Sequence, residues 1–400
     1  MTVDTATDAE ATTVREAVDR LLAEHPPSST DRVAFLGAQF DAGLAWVHFP
    51  EGKGGRGLRR GLQSIVNRRL EEAGAPSAAA GNPLGYSMGA PTVLAWGTEE
   101  QHHRYLRPLF TGEERWCQLF SEPGAGSDLA GVATRAVKDG DTWTINGQKV
   151  WNSMASISDI GMLVARTDPE KAKHSGLTYF VIDMHAPGVD VRPLRQMTGE
   201  AEFNEVYLTD TRVPDANRLG GEGEGWKVSL ATLMNERVMF ASESMEIGPV
   251  DKALAIYHAR ETTDPELRSR MIDLYVRTRI LGLSNARAAA NLAAGTPGPE
   301  GSTGKIGFSE INQLGYELCV DLMGDEGALY DDYEMHEFTV EDMHARRVPD
   351  VRRSFLRSRA NSIEGGTSEI MRNILAERVL GLPPEHRVDK DRPFSQVPRN

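Results

Sequence analysis

Hydrophobic positions recur along this chain at two spacings, and the switch between them divides it. From about Glu10 to Trp116 the spacing is helical. Val14 to Ala23 and Gln63 to Ala73 repeat apolar residues on one helix face, and Thr98 to Leu109 opens on Thr-Glu-Glu-Gln, a capping-box pattern. The Gly-rich FPEGKGGRGL, Phe49 to Leu58, predicts a turn between helices. At Trp116 short β-type runs take over: Trp116–Phe120, Thr134–Val137, Thr142–Ile145, Gly161–Arg166, Leu177–Ile182 and Glu205–Thr209. Asp139-Gly140-Asp141 and Asn146-Gly147 predict turns or hairpins between them. The charged GGEGEG at 220–225 reads as a linker, and helical spacing returns over 226–246, 249–260, 265–294, 305–323 and 367–380. Pro384 to Asn400, polar and Pro-containing, predicts a loose tail.

One of these helices carries an anomaly. In WKVSLATLMNERVMFA, Trp226, Leu230, Leu233, Val238 and Ala241 form one apolar face. Arg237 falls near the middle of that face and Glu236 at its edge. Charges at a core boundary are costly unless paired or used. The plainer reading is a snorkelling Arg and a solvated Glu at the end of the stripe.

Composition narrows the function classes. Four hundred residues suffice for two or three domains. A net charge of −14 with no Lys/Arg run argues against nucleic acid. Cys117 and Cys319 lie far apart with no metal spacing, which fits a reducing cytoplasm better than a disulfide framework. No apolar run reaches the ~18 residues that suggest a membrane span. The acidic, polar N-terminus resembles neither a signal nor a transit peptide.

Three short motifs carry candidate chemistry. Ser121-Glu122-Pro123-Gly124-Ala125-Gly126-Ser127-Asp128 follows a strand, and its small residues let backbone approach a ligand or simply make a turn. Trp151-Asn152-Ser153 offers a flat ring and a hydroxyl donor, or a cap on the β core. Ile363-Glu364-Gly365-Gly366-Thr367-Ser368-Glu369 places two glycines and an N-cap Thr before a helix with apolar positions Ile370, Ile374 and Val379, closing at Gly381. Such a helix start receives an anion or a carbonyl oxygen, or is merely well capped.

Together, SEPGAGSD, NGQKVWNS and IEGGTSEIMRNILAERVLGLP resemble the signatures of the acyl-CoA dehydrogenase family in order and spacing, from about residue 10 to 385. The resemblance implies an α+β multidomain fold: an N-terminal helical domain (1–115), a middle antiparallel β-barrel or sandwich (116–222), a C-terminal four-helix bundle (223–385) and a tail (386–400). It implies FAD, an acyl-CoA substrate oxidised to a trans-2-enoyl-CoA, and electron-transfer flavoprotein as acceptor. A non-catalytic partner subunit and a flavin oxidase on the same fold are the alternatives.

The resemblance also distributes roles. Many members place the base directly before the Gly-Thr of the last motif, which here is Gly365. Another branch, including isovaleryl-CoA dehydrogenases, places it before an Arg on the first helix after the β-domain, as Glu236 precedes Arg237. Glu236 is therefore the expected base, its pKa rising on burial. Gly365 would hold the thioester carbonyl through its N–H and Ser127 would meet the CoA arm, while Arg237 would fix the geometry of its helix, either in direct contact with the substrate or in a structural ion pair. Leu119, Ser121, Trp151 and Ser153 would contact the isoalloxazine ring, and Thr367 and Glu369 the adenosine side. Two family segments that reach a neighbouring subunit's FAD pyrophosphate are altered: Arg-x-x-Phe-Gly is missing from HARETTDPELRSRM, leaving Arg268 as a substitute, and Gln-x-x-Gly-Gly reads Asp321-Leu322-Met323-Gly324-Asp325-Glu326-Gly327. A homotetramer or homodimer is expected, with a hetero-oligomer as the alternative.

Overall fold

The structure, a computed structural model, describes residues 5–243, 248–293, 298, 300–330, 332–344, 350–386, 389 and 392–398; the side chains of 5–8, 236–243, 289, 292–293, 300 and 344 lie outside this description. Six helices come first: α1 (Thr5–Glu24), α2 (Arg32–Asp41), α3 (Gln63–Glu72), α4 (Ala78–Gly81), α5 (Ala90–Trp96) and α6 (Glu99–Thr111). Helix α1 buries Ala11, Val14, Val18 and Leu21, a helical stripe. The capping box at Thr98 forms, with Gln101 N–H donating to Thr98 Oγ1 at 3.3 Å and Thr98 N–H to Gln101 Oε1 at 2.9 Å. The Gly-rich turn is tight: a Cβ on Gly55 would sit 2.1 Å from the Phe49 carbonyl oxygen.

Nine strands follow: β1 (Trp116–Leu119), β2 (Arg135–Asp139), β3 (Thr142–Ser153), β4 (Ile160–Arg166), β5 (Leu177–Asp183), β6 (Val189–Leu194), β7 (Glu200–Ala201), β8 (Phe203–Pro214) and β9 (Arg218–Leu219). Eight form one sheet in the order β6-β8-β3-β2-β4-β5-β9, with β1 beside β4. The path does not close, so the middle region is a curved open sheet rather than a barrel. Its pairs are antiparallel except β1 with β4 and one β2–β4 pair, which are parallel. Strands β4 and β5 read as unbroken apolar runs because both faces are covered. Leu163, Ala165, Phe180 and Ile182 join Trp143, Ile145, Val206 and Leu208 in the sheet's own core, while Met162, Val164, Tyr179 and Val181 pack with the N-terminal helices.

Asn146-Gly147 is not a turn. Strand β3 runs through it with a bulge, pairing on to β8. Thr134 leaves no room for a side chain, since a Cβ on Gly147 would lie 2.3 Å from its Oγ1, and Asn146 bonds Asp210 (Nδ2 to Oδ1, 3.0 Å).

The C-terminal region begins with four long helices, α7 (Gly225–Glu243), α8 (Pro249–Ala259), α9 (Pro265–Ala293) and α10 (Glu300–Met323). Helices α8, α9 and α10 share a core of Val250, Ala253, Met271, Leu274, Ile311, Leu318, Cys319 and Leu322. Strand β10 (His336–Glu337) pairs in parallel with β7 in a separate two-stranded sheet. Helices α11 (Val340–His344), α12 (Val351–Ser358) and α13 (Ser368–Ile374) complete it. On α13 the deeply buried side chain is Met371, and Val379 beyond it is exposed. The tail is not loose over 392–398. Phe394 is buried beneath the Arg166 guanidinium, 3.5 Å from its ring centroid, and its N–H donates to the Lys171 carbonyl at 2.9 Å. Among the described residues no helix is long and apolar enough to cross a membrane.

Candidate active site

A cleft of about 1990 Å³ opens where the end of β3, helix α7 and the turn before α13 meet. Helix α7 buries small residues, Gly225, Val228, Ser229 and Thr232, rather than its large apolar face. Thr232 accounts for part of this, its hydroxyl lying 3.0 Å from that of Thr92 in α5. The large face, Trp226, Leu230 and Leu233, turns into the cleft instead. Trp226 and Leu233 also pack against the core shared with the N-terminal helices, and the part of this apolar wall left facing the cleft is suited to an apolar ligand.

Trp151 stands at the cleft mouth, 59% exposed, with φ 62°. A bulge between Lys149 and Asn152 puts it there, and left-handed backbone at a bulky residue is strained. The neighbours enforce it: Asn152 Nδ2 donates to the Gln118 carbonyl at 2.7 Å, and Asn204 Nδ2 to the Asn152 carbonyl at 3.0 Å. The indole rests edge-on against Phe203, with centroids 6.0 Å apart at 84°. An exposed flat ring held by strained backbone is a platform for a planar cofactor, and Ser153 lines the cleft beside it.

Behind this wall lies a buried ion pair. Lys149, fully buried, donates to Glu122 Oε1 at 2.8 Å and to the Phe120 carbonyl at 3.0 Å. Glu122 also accepts from Ala133 N–H (2.7 Å) and Thr134 N–H (2.9 Å). Burial opposes both charges. For Glu122 the Lys149 ammonium and these donors outweigh it, holding the carboxyl below its ordinary value, while for Lys149 burial prevails and lowers the pKa. The pair ties the loop that carries Ser121 and Ser127, both on the cleft, to the strand that carries Trp151.

The Gly-Gly turn lines the same cleft. Gly365 and Gly366 have φ of 60° and 90°, backbone that side chains rarely adopt. Thr367 caps α13, accepting from Ile370 N–H at 3.1 Å. Glu364, one residue before the turn, has both carboxylate oxygens engaged: Arg357 Nη1 and Nη2 donate at 3.2 and 2.9 Å, and Asn361 Nδ2 at 2.6 Å.

Family models of the acyl-CoA dehydrogenase N-terminal, middle and C-terminal domains match residues 3–113, 117–211 and 223–380. The acyl-CoA dehydrogenase IpdE1 of Mycobacterium tuberculosis is 38% identical over 347 residues, 86% of each chain. The chain belongs to the acyl-CoA dehydrogenase family. Two further likenesses bear on partners. The caffeyl-CoA reductase-Etf complex subunit CarC of Acetobacterium woodii is 35% identical over 170 residues, covering 42% of this chain and 44% of that one. The crystal structure of the ChsE4-ChsE5 complex from Mycobacterium tuberculosis superposes with a TM-score of 0.67 at 26% identity, covering 96% of this chain and all of that one. Acyl-CoA dehydrogenases are flavin oxidoreductases, and the exposed Trp151 platform fits such a cofactor.

In this acyl-CoA dehydrogenase the cleft brings together Ser121, Ser127, Trp151, Ser153, Gly365 and Thr367. Leu119 is fully buried with its side chain in the sheet core, so only its backbone can serve a ligand. Arg268 and Glu369 are exposed and do not line the cleft, and Glu369 accepts from Arg372 at 3.1 Å. Glu236 and Arg237 stand on α7, but their side chains lie outside the described residues. Two of the acidic residues at the end of α10 and just beyond it are partnered locally: Asp321 pairs with Arg270 at 2.7 Å and Glu326 with Arg260. Sequence reasoning missed Glu202, Phe203 and Arg357, all on the cleft. Arg357 had a weak signal, an Asp350 N-cap opening a short helix that ends six residues before Glu364.

Proposed function

We propose that this chain binds FAD in the cleft and dehydrogenates an acyl-CoA thioester to the trans-2-enoyl-CoA, with electrons leaving to an electron-transfer flavoprotein. The observation that carries this reading is that the strained Trp151 platform, the Gly365–Gly366 turn and the apolar face of α7 line one cleft. The flavin, when bound, supplies the hydride acceptor for the β-carbon. The chain's own groups do the rest. Trp151, Ser121 and Ser153 hold the ring. The Gly365 N–H polarises the thioester carbonyl, which acidifies the α-carbon. Glu236 takes the α-proton, and Arg237 lies beside the substrate. Glu364, already held by Arg357 and Asn361, is not free for that task. Ser127 meets the CoA arm, while Thr367 serves the adenosine side. The likeness to CarC, a subunit named for an Etf complex, supports the electron acceptor.

The chain assembles with further copies or with a related second subunit. Ile272, Tyr275, Val276, Ile280 and Leu283 form one exposed apolar stripe on α9, far more than a solvated helix needs. A different partner chain is supported by the likeness to a two-component complex and by Arg260 and Arg270 being spent on Glu326 and Asp321. Arg268 remains to contact a pyrophosphate.

The test is anaerobic titration of the purified chain with straight, branched and ring-bearing acyl-CoAs. The expected result is a yellow protein bleached by one class. A flavin that no thioester bleaches would overturn the reading.

A further inference from the structure

Two carboxylates two residues apart in an extended stretch project about 6.6 Å apart on one side, and two arginines four residues apart on a helix rise about 6 Å. The two spacings match, and the structure uses the match. Glu200 and Glu202, at the junction of β7 and β8, face Arg353 and Arg357 of α12, giving the pairs Glu200–Arg353 and Glu202–Arg357. These pairs join the β7–β8 stretch to α12, and Glu202 and Arg357 line the cleft.

Arg357 does more than its neighbour. Its Nε donates to Glu202 Oε1 at 3.2 Å, its two Nη atoms grip Glu364, and its guanidinium lies 5.3 Å from the Phe203 ring centroid. Phe203 in turn supports Trp151, and Glu364 directly precedes Gly365. One planar, five-donor group therefore touches both the ring that supports Trp151 and the carboxylate that precedes Gly365. Arg357, Glu202 and Glu364 are each about three-quarters buried, so the contacts are shielded from water. Burial raises the Glu202 pKa against the pull of Arg357, so removing the cation would leave two crowded carboxylates.

We infer that Arg357 is a positioning residue: it fixes the Trp151 platform and the Gly365 turn relative to each other, so that ring, carbonyl and reacting carbons come into line. The inference rests on the flavin-dependent reading above. Misplacement of reacting groups by about 1 Å costs on the order of 100-fold in rate. An Arg357 that only held the fold would affect stability and flavin content, not the rate of each flavin that remains.

The experiment measures anaerobic flavin bleaching per bound flavin at saturating acyl-CoA in the wild type, Arg357→Lys, Arg357→Gln and Arg357→Gln/Glu364→Gln. Both single variants are expected to fall about tenfold or more, with half-saturating substrate moved by less than about threefold. Lysine cannot reproduce the fork and should not rescue. The double variant should fall no further than Arg357→Gln, because the two residues act as a unit. Wild-type rates per flavin in both single variants, or a loss explained wholly by flavin content, would overturn the inference alone. A wild type that no acyl-CoA bleaches would overturn the dehydrogenase reading and this inference with it. Arg357→Lys keeps the charge, so it remains informative where Arg357→Gln fails to fold.

Discussion

At the scale of single residues, the site is built from backbone strain and buried charge. Trp151 holds a left-handed conformation that a glycine would take without cost. Trp151→Gly should therefore leave the melting temperature of the flavin-free protein unchanged or higher, while FAD retention weakens by about fivefold to tenfold, roughly 1 kcal/mol of lost stacking. Calorimetry with and without FAD checks both halves. The Lys149–Glu122 pair behaves oppositely. Lys149→Met strands a buried carboxylate, so it should cost about 3 kcal/mol and lower the melting temperature. The pH dependence has a definite sign. Glu122 is held below its ordinary value of 4.5, so its stabilisation is complete above that value and lost as pH falls through the lowered folded pKa. A thermal scan between neutral and acid pH should show that slope in the wild type and a smaller one in Lys149→Met. Much of this was legible: the three motifs delivered Ser121, Ser127, Trp151, Ser153, Gly365 and Thr367 to one cleft. Arg357 was not, because its importance comes from Glu202 and Phe203, some 150 positions earlier in the chain, and nothing local announces that pairing.

At the scale of elements, the sequence showed which segments are helical or extended but not which face is used. Helix α7 was correctly periodic, yet its large apolar residues line the cleft and its small ones are buried. Periodicity reports a face, and a ligand cleft consumes an apolar face as readily as a core does. Asn146-Gly147 carried the composition of a turn, but the close approach of Thr134 demanded glycine inside a strand. The tail misled for a third reason. Its polar composition hid one anchoring aromatic, Phe394, seated under Arg166. Phe394→Ala should remove about 3 kcal/mol of local packing and cation–π contact. Hydrogen exchange should then quicken at the amides of Phe394 and Ser395, which donate to the Lys171 and Pro169 carbonyls, while the sheet core stays protected.

At the scale of the whole molecule, the three-part plan of helices, sheet and helices was readable from the switch in hydrophobic period, whereas the open edge of the sheet was not. The proposed assembly would use the exposed apolar stripe of α9. Leu283, 68% exposed, sits at one end of its apolar stripe. Leu283→Glu should shift the mass measured by light scattering toward a single chain, and an unchanged assembly would remove that face as the interface.

The central claim is that an acid on α7, not the one beside the Gly-Gly turn, removes the α-proton. Anaerobic mixing of flavin-loaded Glu236→Gln and Glu364→Gln with a bleaching acyl-CoA tests it directly. The account predicts that Glu236→Gln keeps its flavin but bleaches at least about 100-fold more slowly, the scale of a lost general base, while Glu364→Gln still bleaches within about tenfold of the wild-type rate. Wild-type bleaching in Glu236→Gln, with the loss appearing in Glu364→Gln instead, would contradict it.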